Sequence, residues 1–124
     1  MSKRSHLSGE ERLAIAIKEM PNPLEDRRHN LSIYLVNDKA SSNENRFEHI
    51  INPRHELTTN DIKRIPKLLH KAIMKKDKER KETFNLYIRR FNYKEEYIKI
   101  SIHINPEYPQ KAYIKTIFIT KNVK

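Results

Sequence analysis

The chain is 124 residues long, enough for one compact domain with a single modest core, and 26 Lys plus Arg against 16 Asp plus Glu give it a formal net charge of +10. Without cysteine there is no disulfide framework, thiol nucleophile or Cys-ligated zinc site, and with Gly9 as the single glycine there is no Gly-rich loop to cradle a nucleotide cofactor. No apolar run approaches the roughly 20 residues that span a bilayer, and the N-terminus lacks the apolar core of a secretory signal.

A cytoplasmic protein with no membrane segment is therefore expected. Hydrophobic residues are 36% and charged residues 34% of the chain. The apolar ones gather into periodic segments, so residues 1–124 read as one folded domain and not as a basic tail.

In chain order, Ser8 and Glu11 form a capping box, and Leu13, Ala14, Ile17 and Met20 follow at helical spacing until Pro21 and Pro23. This predicts a helix over 8–20. After a basic turn, Leu31 to Val36 reads as a short strand, its length leaving helix open, and Asn37 to Asn45 reads as a loop. Thr58 and Asp61 give a second capping signature. Ile62, Ile65, Leu68, Leu69, Ala72 and Ile73 then make one apolar stripe, which predicts helix over 59–76, kinked or divided at Pro66. The charge run Lys75 to Glu82 reads as a solvated helix end and turn, not as a binding element.

The period then changes from 3.6 to 2. Phe84, Leu86 and Ile88 alternate with polar partners, as do Ile98, Ile100, Ile102 and Ile104, and residues 111–120 make a third strand. Connections of about five to seven residues are too short for a parallel crossover, so these three strands form an antiparallel meander. The fold class expected is α+β, with N-terminal helices packed on a C-terminal antiparallel sheet of three to four strands.

The other sheet face carries Tyr87, Arg89, Lys99, Ser101 and His103. Such a face is plain solvated surface or a binding platform, on which cations track phosphates and rings stack on bases. The charge of +10 favours an anionic partner: RNA, DNA or an acidic protein.

The segment Glu48-His49-Ile50-Ile51-Asn52-Pro53-Arg54-His55 holds two of the six histidines. Near neutral pH one neutral and one protonated imidazole can supply the base and acid for cleaving RNA through its own 2′-hydroxyl, with Arg54, Arg89, Arg90 or Lys99 to balance charge on phosphorus; the plain alternative is a pair of capping or surface histidines. The six-residue spacing of His49 and His55 fits no metal-ligand pattern, so no metal and no cofactor are expected. Thr116 and Thr120 share a strand face, either as ordinary strand formers or as hydroxyls that orient a phosphate oxygen, and His103 presents the same choice. His6, His29 and His70 read as background.

The order of His49-Ile50, Arg54-His55, a helix opened by Thr58 to Asp61 with Ile62, Ile65 and Pro66, a Tyr-containing strand, and the closing run Tyr113 to Thr120 resembles the phage-associated branch of the barnase, EndoU, colicin and RelE superfamily of nucleases. The likeness covers about residues 46 to 120, leaving 1–45 as an added helix, short strand and loop before a nuclease-like core over 46–124.

The resemblance implies a small, metal-independent, toxin-like endoribonuclease that leaves a 2′,3′-cyclic phosphate. His49 and His55 would be acid and base, Arg54 and Arg89 phosphate clamps, and Thr120 or Thr116 the late-strand hydroxyl. Tyr87 would stack on or position the substrate; Arg90, Lys99 and His103 join the substrate contacts from the basic strand residues themselves and not from the resemblance. RNA and a cognate inhibitor or antitoxin protein are the partners implied. The alternative is a non-catalytic module of phage or mobile-element origin that binds nucleic acid or protein. A weaker reading is an inhibitor acting by strand addition at the edge of the meander.

Overall fold

The computed structural model describes residues 9–35, 57–90, 95–121 and 123. Helix α1 (Gly9–Glu19) buries Leu13, Ala16 and Ile17 on one stripe, as its 3.6-residue spacing requires. Strands β1 (Leu24–Asp26) and β2 (Leu31–Tyr34) follow as a short hairpin. Helix α2 (Thr59–Leu68) opens on the capping box read from the sequence: the Asp61 amide donates to Thr58 Oγ1 at 3.2 Å, and the Thr58 amide donates to Asp61 Oδ2 at 3.0 Å.

The apolar stripe over 59–76 is not one helix. Pro66 sits inside α2 and has no N–H to donate to the preceding turn; soon after it the backbone tightens into a 3₁₀ turn (Leu69–Lys71) and becomes extended at Ala72. Ile73–Lys76 is strand β3, paired antiparallel with strand β4 (Thr83–Arg89). Leu69 and Ala72 are buried as the stripe demands, but Ile73 is 44% exposed. Ladder pairing with β4 satisfies backbone groups that a helix end would have left to water.

Strands β4, β5 (Tyr97–Ile104) and β6 (Lys111–Thr120) form the expected antiparallel meander. The sheet is nevertheless wider than three to four strands and is mixed. Its order is β1-β2-β6-β5-β4-β3, with β2 running parallel to β6 and Ile33 beside Ala112. The guanidinium of Arg28, in the β1–β2 turn, donates to the carbonyls of His70 and Ala72 at 3.3 and 3.4 Å. These bonds tie one edge of the sheet to the start of the other, so the sheet curls around α2.

Both helices pack on the inner face, against Leu86, Ile88, Ile98, Ile100, Ile102 and their β6 partners. Strict alternation along β6 would send Ile114 and Ile117 to opposite faces. The register skips one residue there: Ser101 faces Thr116 while Ile102 faces Ile114. Lys115 is the extra residue of this β-bulge, and it lets Ile114 and Ile117 both enter the core, each at 0% exposure.

At the end of β4, Arg90 crosses to the helix layer. Its Nε and Nη2 donate to Asp61 Oδ1 at 3.1 Å and Oδ2 at 2.8 Å, and its Nη1 donates to Glu96. Burial alone would favour the neutral guanidine, yet the two carboxylates hold Arg90 above its ordinary range. Arg90, expected among the substrate contacts on the basic face, is thus engaged in a buried pair that joins sheet to helix. Arg90→Met, which strands the Asp61 carboxylate, should cost about 3–5 kcal/mol of unfolding free energy, and adding Asp61→Asn should recover part of it. Urea unfolding of the single and double variants checks this; a loss below about 1 kcal/mol for the single variant would deny the pair that role.

Candidate functional site

The outer face of the meander is ordered by the strand register into rows running across β4, β5 and β6. Arg89, Tyr97 and Thr120 make the first row, Tyr87, Lys99 and Phe118 the second, and Asn85, Ser101 and Thr116 the third. Thr83, His103 and Tyr113 make the fourth, extended onto β2 by Tyr34, whose ring lies 6.2 Å from that of Tyr113.

In the second row the Lys99 ammonium lies 5.8 Å from the Tyr87 ring centre and 5.1 Å from that of Phe118, a cation held between two π faces. It is half-buried and makes no ion pair among the described residues. Arg89 lies 5.8 Å over the Tyr97 ring, and Tyr97 meets Tyr87 edge-on at 6.5 Å.

The turn between β3 and β4 folds over this face. Asp77 Oδ1 accepts the backbone N–H groups of Glu79 and Arg80, both at 2.9 Å, so one carboxylate builds the turn. The turn ends at Glu82 with φ 59°, a conformation a non-glycine residue holds only when its surroundings fix it. Here the Glu82 carbonyl accepts from the Ile104 amide at 2.8 Å, and its carboxylate lies 3.8 Å from His103 Nε2. Between turn and sheet lies a cleft of about 420 Å³, lined by Lys78, Glu79 and Arg80 above and by Lys99, Ser101 and Thr116 below.

A chain of hydrogen bonds crosses the cleft floor. Asn85 Nδ2 donates to Asp77 Oδ2 at 3.2 Å, and Ser101 Oγ donates to Asn85 Oδ1 at 2.7 Å. The Glu79 and Arg80 amides, followed by Asn85, pull Asp77 down from 3.8 to a pKa of about 2. It is therefore a pure acceptor at any physiological pH.

Of the residues singled out in the sequence, Lys99, Arg89, His103, Thr116 and Thr120 all lie on this outer face, Thr116 beside Ser101 and Thr120 beside Tyr97. His49, Arg54 and His55 lie outside the described residues. Tyr87 departs from the stacking role: at 1% exposure its ring is a floor under Lys99 and offers no face to a base. The run Lys75 to Glu82 departs too, since Lys75 and Lys76 belong to β3 and Asp77 to Arg80 wall the cleft. Sequence reasoning missed Asp77 and Asn85. The available signal was Asn85 itself, a polar residue at an outward strand position, preceded by an aspartate able to build a turn.

Among the described residues no group of three or more His, Asp or Glu could hold a metal ion, and no helix is long and apolar enough to cross a membrane. No protein-family model, no curated protein and no solved structure matches the chain.

Because the folded state depresses Asp77, its contribution to stability is full above pH 3.8 and is lost as pH falls through that value towards about 2. Asp77→Ala should be less stable than the parent at pH 6, and the gap should close over that acid window in urea unfolding at stepped pH. A gap independent of pH would mean that the ionised carboxylate does not hold the turn.

Proposed function

We propose that the protein binds single-stranded nucleic acid across the outer face of the meander. The observation that carries this reading is the Lys99 ammonium, half-buried between two rings and without an ion-pair partner among the described residues, in a cleft where Lys76, Lys78 and Arg80 outnumber Asp77 and Glu79. A cation in that position is completed by an anionic oxygen, and a phosphodiester supplies one. Tyr34, Tyr97 and Tyr113 are half-buried on the same face, which suits bases stacking along the strand. The net charge of +10 brings a polyanion to it.

Cleavage of bound RNA is a second reading, favoured by the two late-strand hydroxyls, Thr116 and Thr120, on the same face as Lys99 and Arg89. Under the resemblance to the barnase, EndoU, colicin and RelE superfamily, His49 and His55 would supply base and acid, and 2′-hydroxyl attack would need no metal.

Binding is measured with an end-labelled single-stranded 12-mer in chelator. If three phosphates are contacted, affinity should fall about 20-fold between 50 and 200 mM salt. Lys99→Gln should lower it at least about tenfold, with thermal unfolding near that of the parent. Affinity indifferent to both changes would overturn the binding site. Cleavage products in the same samples, abolished by His49→Ala or His55→Ala, would support the second reading, and intact RNA after long incubation would reject it.

A further inference from the structure

The hydrogen-bond chain on the cleft floor runs in one direction. Ionised Asp77 can only accept, so Asn85 must present its amide nitrogen to it, at 3.2 Å. The Asn85 carbonyl oxygen is thereby turned to Ser101, whose hydroxyl must donate to it, at 2.7 Å. A serine hydroxyl has one proton. Towards the cleft, then, Ser101 offers lone pairs alone, and a phosphate, all of whose oxygens are acceptors, cannot bond there. Lys99, two residues along the same strand and roughly 7 Å away by strand rise, offers donors alone. The complement of this pair is an anionic oxygen on Lys99 with a neighbouring O–H that donates to Ser101.

We infer that the cleft distinguishes RNA from DNA: Lys99 holds a backbone phosphate, and Ser101, its own proton committed to Asn85, accepts a hydrogen bond from the adjacent ribose 2′-hydroxyl. The inference rests on the binding face proposed above and names the sugar which that face selects. Asn85 and Asp77 act as positioning residues, since they set the direction of the Ser101 hydroxyl and touch no substrate. Deoxyribose lacks the donor and leaves the cleft-facing lone pairs of Ser101 unfilled, so the preference is the net worth of one hydrogen bond.

The test compares three labelled 12-mers of one uridine-rich sequence in chelator: RNA, the 2′-deoxy strand and the 2′-fluoro strand. Fluorine keeps an RNA-like sugar but cannot donate, so it separates the hydrogen bond from sugar shape. RNA should bind about tenfold tighter than both others, and Ser101→Ala should level the three affinities. RNA and DNA binding equally, or 2′-fluoro RNA binding as tightly as RNA, would overturn the inference while leaving the nucleic-acid face intact. Failure of all three strands to bind would instead remove the face itself. A preference for RNA that survives in Ser101→Ala, with the variant's unfolding transition like the parent's, would also overturn the assignment.

Discussion

The carboxylate of Asp61 is the junction on which the arrangement depends. It accepts the amide and hydroxyl of Thr58 at the start of α2, and the fork of Arg90 at the end of β4. One side chain thus caps a helix and fastens it to the sheet, while Glu96 at the entry to β5 takes the remaining arm of Arg90. Burying such charges is costly unless every donor and acceptor is matched, and here the described buried polar side chains all find partners. With α2 held over the inner face, the isoleucines of β4, β5 and β6 have their cover. The outer face is left to polar and aromatic side chains.

What makes that outer face more than a wet surface is the hairpin between β3 and β4. Asp77 organises it, Asn85 ties it down, and the result is a concavity instead of an open ladder. Lys99 beneath it is half-buried and held near two rings, which fixes where its ammonium meets an anionic oxygen. The bulge at Lys115 serves both faces. It returns Ile117 to the core and turns Lys115 outward, where its ammonium donates to Thr83 Oγ1 at 3.2 Å.

Much of this was legible in the residue order. Thr58 and Asp61 announce a capped helix because a capping box is local chemistry, and the isoleucine alternation of β5 announces a half-buried strand because period 2 permits nothing else. Strand β3 was hidden because Ala72 and Ile73 continue a helical stripe by spacing, and only tertiary pairing with β4 decides against it. Arg90 looked like one more surface cation, since nothing near it in sequence reveals that Asp61, 29 residues away, would meet it. The Asp77–Asn85–Ser101 chain depends on a turn and a strand register together, so no short window of sequence contains it. The basic outer face was legible because cations and rings alternate along single strands; its concavity was not.

The parallel pairing of β2 with β6 governs the order in which the molecule can assemble. Ile33 lies beside Ala112, about 80 residues further along, so the loop closed by this contact is long and its entropic cost is met late. The strands of the meander close over short connections, so this is the pairing of the sheet with the highest cost in chain entropy, and Ile33 gains its Ala112 neighbour only once β6 is in place. Until that pairing forms, the flank of β6 that β2 covers is an open strand edge, a vacant berth for any extended segment that reaches it first.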